Sequence, residues 1–260
     1  MIFSMRGKYS PVLNTAVIYG PNGSGKSNLI RAMAFMKDLV LHHTDISTIK
    51  PHKACGDTQE SKFLMQIMID EVRYAYGFTV KEKHITEEFL YWFPDGKETM
   101  IFEQDGLSDE LTLSDIAEGE KAYRFFRDQL MIYDNDHLQA DSDDGEESDG
   151  IRKLNALMSL MQGEDRVLIA DGLDTGLHPL LVRKLLHMRD GTQLIFTAYE
   201  AGLMDYFTKD AVWFTELKEN TKETDLYSLL ELKGVRDDIS YSRAYLRGCF
   251  GAVPRFDICS

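Results

Sequence analysis

Eight residues near the start of the chain constrain its fold more than any other stretch. The segment from Gly20 to Ser27 reads GPNGSGKS and fits the pattern G-x-x-x-x-G-K-[ST] at every fixed position. An apolar run over 12–19 (VLNTAVIY) precedes it, and the run over 27–42 that follows contains neither proline nor glycine. A strand, a glycine-rich turn and a helix in this order predict a phosphate-binding loop.

Each residue type in this loop has a chemical reason. Its three glycines can adopt backbone angles that turn successive N–H groups toward a phosphate, and the following helix adds its positive dipole end. Lys26 is expected to reach the β- and γ-phosphates, and the Ser27 hydroxyl to ligate Mg²⁺. The expected ligands are therefore a nucleotide and Mg²⁺, and the predicted binding residues are Gly20, Pro21, Asn22, Gly23, Ser24, Gly25, Lys26 and Ser27. The alternative is a strand-to-helix turn without a ligand.

Composition and charge narrow the classes of partner. A content of 43% hydrophobic and 28% charged residues is ordinary for a globular protein of 260 residues. The net charge of −14 argues against broad electrostatic binding to nucleic acid or to an anionic membrane. The three cysteines show no C-x-x-C spacing, so neither a disulfide framework nor a zinc site is predicted. Without a signal segment or a membrane-length apolar run, the chain is expected in the cytoplasm.

Hydrophobic periodicity predicts two kinds of sheet. Apolar residues alternate with their neighbours over 62–104, with turn-forming residues between the runs, which predicts an antiparallel meander. Residues 111–130 have helical spacing, and the run over 134–149 holds eight acids and no Lys or Arg, as is typical of a solvated loop. After residue 150, apolar strands alternate with amphipathic helices, which predicts a mostly parallel sheet covered on both faces.

One of these later strands ends in an acid. The run RVLIAD finishes at Asp171, about 145 residues after Lys26. A phosphate loop needs a carboxylate at a neighbouring strand end, because Mg²⁺ must be held from the protein side while it bridges two phosphate oxygens. Asp171 is therefore predicted, with Ser27, to hold the metal. A strand-end turn carboxylate without a metal is the alternative.

Four blocks of sequence resemble a known family. They are ESDG from Glu147, VLIADGLDTGLHPLLVRKLL from Val167, QLIFTAYEAGLMD from Gln193 and YLRGCFGAVPRF from Tyr245. In this order they resemble the ABC-type ATPases of bacterial abortive-infection and phage-defence systems, which are similar to the heads of overcoming-lysogenization-defect, RecF and SMC proteins. The resemblance covers most of 12–104 and 147–256.

The resemblance implies an α/β fold, that of a P-loop NTPase with a mostly parallel sheet flanked by helices plus an antiparallel meander. The implied organisation is a single ABC-type head over 1–260. It contains an antiparallel subdomain at 62–104, a shortened lid with an acidic loop at 105–146, and the signature and second-motif half at 147–260.

The resemblance also implies partners. Two heads would form a head-to-tail dimer around two ATP molecules, with the phosphate loop of one facing Ser148 and Gly150 of the other. Leu177, His178 and Pro179 match the loop that crosses the dimer seam, and the dimer would signal to a protein effector in phage defence. For Ser148 and Gly150, a flexible acidic loop is the alternative. Nucleic acid is left open as a partner, although the charge does not support it, and no membrane contact is predicted.

Two positions depart from the family where hydrolysis is concerned. Gly172 stands where relatives carry the acid that orients the attacking water, and Tyr199 stands where they carry a histidine that senses the γ-phosphate. Loss of a group that positions or deprotonates water typically costs 10²- to 10⁴-fold in rate, so slow turnover is predicted. Besides Asp171, the candidate catalytic residues are the nearby acids Asp174 and Glu200. A seam-loop role for the first and a solvated loop position for the second are the alternatives.

Three functional hypotheses follow from these observations. The first is an ATPase head that dimerises on nucleotide, and the second is a pseudo-ATPase that acts as a nucleotide-gated scaffold. Gly172 and Tyr199 favour the second. A P-loop kinase is the third, but it needs a basic lid and the segment available as lid is acidic.

Overall fold

The computed structural model describes residues 12–42, 44–46, 49, 60–106, 111–134, 148–163, 165–188 and 191–254. The chain divides into two compact units, one made of 13–31 and 130–260, the other of 1–12 and 32–129. Most of the predicted acidic loop, residues 135–147, lies outside the described residues. The predicted domain boundaries stay a prediction.

The first unit contains a six-stranded sheet in the order β11-β10-β1-β9-β8-β7. Strands β10, β1, β9, β8 and β7 run parallel, and β11 pairs antiparallel with β10 at the edge. Their bounds are β1 Thr15–Tyr19, β7 Leu130–Tyr133, β8 Val167–Ala170, β9 Gln193–Thr197, β10 Val212–Leu217 and β11 Thr224–Ser228.

This sheet is buried on both faces. One face carries Leu168 and Phe196, which pack in one cluster with Leu157 and Val182 of the flanking helices. The residues that alternate with them in the central strands, such as Ile169, are buried as well. Burial on both faces explains why these strands read as continuous apolar runs. The helices that begin in this unit are α1 Lys26–His42, α3 Asp149–Met161, α4 Pro179–Met188 and α5 Tyr241–Leu246.

The other unit contains a five-stranded antiparallel sheet in the order β2-β3-β4-β5-β6. The first two turns each place two residues at positive φ, 49° and 63° at Asp70 and Glu71, and 49° and 67° at Glu82 and Lys83. Paired positive φ values match the right-handed twist of the flanking strands. The predicted meander is confirmed, with bounds β2 Ser61–Ile69, β3 Val72–Lys81, β4 His84–Trp92, β5 Thr99–Asp105 and β6 Leu111–Leu113.

The prediction of one helix over 111–130 is wrong at its start and at its last residue. Residues Leu111–Leu113 pair with β5, helix α2 covers Ile116–Arg124, and a π-helical turn continues it over Phe125–Gln129. The Asp115 side chain accepts a hydrogen bond from Glu118 N, so it caps the helix at its start. Residues Leu130–Tyr133 form β7, because they pair in parallel with β8. At both ends of this range, pairing with a neighbouring strand of the sheet overrides the local preference for helix.

Candidate functional site

The carboxyl ends of three adjacent parallel strands meet at one edge of the six-stranded sheet. The phosphate loop leaves β1, Asp171 follows β8, and Tyr199 lies two residues after β9. Strand β9 lies between the other two. In open α/β sheets this edge is where ligands bind. The topology thus brings together residues that are far apart in sequence.

Two threonines, Thr215 and Thr224, contact the phosphate loop at Ser24. The Ser24 and Thr215 hydroxyl oxygens are 2.6 Å apart, and Thr224 Oγ1 donates a hydrogen bond to the Ser24 carbonyl oxygen at 2.9 Å. A Cβ added to Gly25, whose φ is +103°, would lie 2.1 Å from Thr224 Oγ1. By contrast, a Cβ at Gly23, whose φ is +80°, would meet nothing within 4 Å. Gly25 is therefore required by packing as well as by its backbone.

Lys26 is 4% exposed and folds back over the loop. Its Nζ donates hydrogen bonds to the carbonyl oxygens of Gly20 at 2.6 Å and Pro21 at 3.1 Å, and lies 5.0 Å from the centroid of the Tyr199 ring. Burial lowers the pKa of the Lys26 ammonium, while the charge of Asp171 and, less strongly, that of Asp174 opposes this. The charges of both acids therefore act on the Lys26 ammonium.

Asp171 is half-buried and anchored to the ends of two strands. Its N–H donates to the Tyr133 carbonyl oxygen at 2.9 Å, and its Oδ1 accepts a hydrogen bond from Thr197 Oγ1 at 2.5 Å. The same hydroxyl oxygen accepts from the Gly172 N–H at 2.6 Å. The sequence analysis did not single out Thr197, although a polar residue that closes the apolar strand QLIFT was a visible signal.

Gly172 adopts a left-handed backbone with φ of 57°. Its N–H is held by Thr197, and its carbonyl oxygen accepts a hydrogen bond from Lys153 Nζ at 2.6 Å. A residue other than glycine in this conformation carries backbone strain. A glutamate at this position would therefore have to adopt a strained backbone or break these bonds.

The two proposed substitutes for that acid are in different environments. Asp174 is 9% exposed, and its Oδ2 accepts the N–H groups of Tyr199 at 2.8 Å and Glu200 at 2.5 Å. Its Oδ1 has no hydrogen-bond partner among the described residues, and Asp174 borders a cavity of about 620 Å³ together with Asp171 and Tyr199. Glu200 is exposed, and its Oε1 accepts the Gly202 N–H at 3.0 Å. Asp174 therefore has an acceptor atom to offer, whereas Glu200 caps the turn that follows it.

The predicted signature residues open helix α3. Ser148 is exposed and is the N-cap residue, but its side chain makes no capping bond, so the N–H groups of the first turn lack that acceptor. A Cβ added to Gly150 would lie 3.0 Å from the Gly176 carbonyl oxygen, so the helix start packs closely on the loop after Asp171. His178 Nδ1 accepts the Leu180 N–H at 3.2 Å at the start of α4.

Lys153 is a buried residue that the sequence analysis missed. It is 3% exposed, and Nζ donates hydrogen bonds to the carbonyl oxygens of Gly172 at 2.6 Å and Thr175 at 2.8 Å. Burial lowers its pKa to about 8, although the charges of Asp174 and Asp171 oppose the shift. The sequence carried a signal for it, since Lys153 lies four residues before Leu157 on the apolar face of the helix.

The donor set fits a magnesium nucleotide better than a protein-enclosed metal. No cluster of three or more His, Cys, Asp or Glu side chains that could hold a metal exists within the described ranges. Mg²⁺ is usually bound by one or two carboxylates plus substrate phosphates and water, which Asp171 and the Ser27 hydroxyl would satisfy. Nor does any described helix combine the length and apolarity needed to cross a membrane.

A glycine-lined loop between a parallel strand and a helix, with a lysine inside it and an acid at a nearby strand end, defines a P-loop NTPase. A family model described as "AAA domain, putative AbiEii toxin, Type IV TA system" matches residues 16–145, which is half of the chain. The chain belongs to this family of ATPase domains, which confirms the resemblance to abortive-infection ATPases. The match includes the phosphate loop and ends before Asp171. No curated protein matches the sequence.

The support beneath the loop leads to a paired test. We expect Gly25→Ala to lower the thermal unfolding midpoint more than Gly23→Ala, because Gly23→Ala adds only backbone strain of about 1–2 kcal/mol. The difference should shrink when Thr224→Ala is added to both variants, since this removes the atom that a Cβ at Gly25 would meet. Equal midpoints for the two single variants would contradict this account.

Proposed function

We propose that this chain is the ATP-binding head of an ABC-type ATPase that dimerises around Mg·ATP and gates a protein effector in anti-phage defence. The observation that carries the proposal is the convergence of Lys26, Asp171 and Asp174 at one edge of the sheet, where Asp174 Oδ1 has no hydrogen-bond partner within the described part of the chain. Family membership supports nucleotide binding and a role in defence. The dimer, the effector and the residue roles are part of the proposal.

The phosphate loop would hold the nucleotide by its backbone N–H groups. Lys26 would exchange the two carbonyl oxygens it now contacts for oxygens of the β- and γ-phosphates, and charge-assisted bonds to phosphate are the stronger ones. Ser27 and Asp171 would hold Mg²⁺, which when bound neutralises charge on the phosphate oxygens. Thr197 keeps the Asp171 carboxylate oriented through its hydrogen bond to Oδ1.

A second copy of the chain would complete the site. The N-terminus of α3 offers N–H groups and a positive dipole end to an anion, and Ser148 adds a hydroxyl that its own helix does not use. Ile151 in the first turn of α3 is 48% exposed, and Leu180 in the first turn of α4 is 61% exposed. Exposed apolar side chains beside the proposed signature residues are what a dimer surface would cover.

Hydrolysis, in this proposal, is slow. Gly172 has no side chain to orient water, and Asp174 is the better substitute because it borders the cavity together with Asp171 and its Oδ1 has no hydrogen-bond partner among the described residues. The second candidate function is a scaffold that binds ATP and dimerises without turnover, and the Gly172 backbone favours it. Hydrolysis measurements separate the two.

Removal of the loop cation tests nucleotide binding. Lys26→Ala should weaken ATP binding by about 10- to 100-fold, because a hydrogen bond to a charged group contributes about 1.5–3 kcal/mol. Titration calorimetry measures the affinity, and Lys62→Ala serves as the control, since that side chain is 70% exposed on β2. Unchanged ATP affinity in Lys26→Ala would sink the assignment of the nucleotide site.

A charge on the proposed dimer surface tests assembly. We expect wild-type protein to form dimers with Mg·ATP in sedimentation experiments, and Ile151→Lys to bind ATP normally but remain monomeric. Leu246→Lys is the matched control, because Leu246 is 72% exposed on α5, outside the proposed interface. If both variants dimerise like the wild type, α3 does not form the interface.

Neutralisation of the buried acid tests the source of turnover. Asp174→Asn keeps an oxygen that can accept the Tyr199 and Glu200 N–H groups but loses the carboxylate charge, so we expect ATP binding to persist and turnover to fall by about 10²-fold or more. Glu200→Gln should change the rate by less than about twofold, a threshold well below the effect of losing a catalytic base. If the wild-type protein hydrolyses no ATP, the scaffold function is favoured. If turnover falls in Glu200→Gln but not in Asp174→Asn, the proposed role of Asp174 is contradicted.

A further inference from the structure

The first turn of α3 and the loop after Asp171 are packed as one piece. Gly150 lies against the Gly176 carbonyl oxygen so closely that a Cβ would reach 3.0 Å from it. One turn further on, Lys153 Nζ donates to the carbonyl oxygens of Gly172 and Thr175. Two contacts one turn apart fix both the position and the rotation of the helix relative to the loop.

The two carbonyl acceptors lie beside the two acids. Gly172 directly follows Asp171, and Thr175 directly follows Asp174. A single ammonium thus holds the backbone next to both carboxylates. The charges of Asp174 and Asp171 act on Lys153, which places all three groups in one electrostatic cluster.

A buried lysine is a costly way to hold a loop. Position 153 lies on the face of α3 that carries Leu157, which is 0% exposed, and the Tyr133 ring centroid lies 5.4 Å from Nζ. Desolvation of an ammonium opposes burial, and well-packed apolar side chains often stabilise such positions equally well. Directional hydrogen bonds to two specific carbonyl groups are what lysine adds and an apolar side chain cannot.

We propose that Lys153 is a positioning residue that couples the N-terminus of α3 to the loop carrying Asp171 and Asp174. This inference rests on the proposed function, in which Ser148 and Gly150 meet the nucleotide of the other subunit. A rigid helix that shifts when its N-terminus binds phosphate must either carry Gly172 and Thr175 with it or break two charge-assisted hydrogen bonds. Engagement by the partner's nucleotide therefore sets the position of the metal-binding acid.

The test compares Lys153→Met with Lys153→Arg, which retains a cationic donor. Lys184→Met is the control, since Lys184 is exposed on α4. ATP affinity is measured by calorimetry with EDTA and with Mg²⁺. We expect the affinity in EDTA to stay within about twofold in all variants, because the phosphate loop is untouched. The gain in affinity on adding Mg²⁺ should fall about tenfold in Lys153→Met, by about 1.4 kcal/mol, and be largely kept in Lys153→Arg and Lys184→Met.

Hydrogen exchange on wild-type protein provides a second readout that does not depend on a variant folding. Addition of Mg·ATP should slow amide exchange at 149–153 and at 172–177 together, and Lys153→Met should lose the response at 172–177 while it retains that at 149–153. Two results would overturn the inference and leave the proposed function standing. One is a wild-type gain in ATP affinity on adding Mg²⁺ in Lys153→Met, and the other is slower amide exchange in only one of the two segments of the wild-type protein. A wild type that binds no ATP would overturn both.

Discussion

The parallel pairing of β1, β9 and β8 is the constraint on which the rest of this structure depends. The register places Ala16 opposite Ile195 and Ile169 opposite the same residue, so the three strands end at one edge. Because both faces of the sheet are buried, a slip of the register by one residue would exchange the side chains packed on the two faces and disrupt the close packing of both. The phosphate loop and Asp171 owe their proximity to this pairing.

In the proposed function, the chain combines a nucleotide-binding loop with a weakened site for hydrolysis at that edge. The left-handed Gly172 directs its N–H to Thr197 and its carbonyl oxygen to Lys153, so its backbone fixes the loop that follows Asp171. Asp174 holds the segment that begins at Tyr199. These hydrogen bonds hold the loop in place whether or not ATP is hydrolysed, which is compatible with both candidate functions proposed above.

Local chemistry made much of the fold and part of the site predictable. The loop around Lys26, the acid at the end of β8 and the antiparallel meander all follow from residue types at short spacing. Strand β7 could not be predicted, because Leu130–Tyr133 acquires strand geometry only by pairing with β8. The role of Thr224 could not be predicted either, because its contact with Ser24 spans 200 residues and no local pattern indicates a contact of that kind.

The sequence by itself determined the chemistry that is available: a lysine and a serine at the end of a glycine-rich turn, and an acid after an apolar strand. Such features depend on the backbone freedom of single residues and on neighbours within a few residues, so a short stretch of sequence is enough to predict them. Only the tertiary structure decided that Lys153 holds the loop between Asp171 and Asp174, and that Asp174 keeps one oxygen unpartnered among the described residues. The physical reason is that burial and hydrogen-bond satisfaction are set by distant segments that packing brings together.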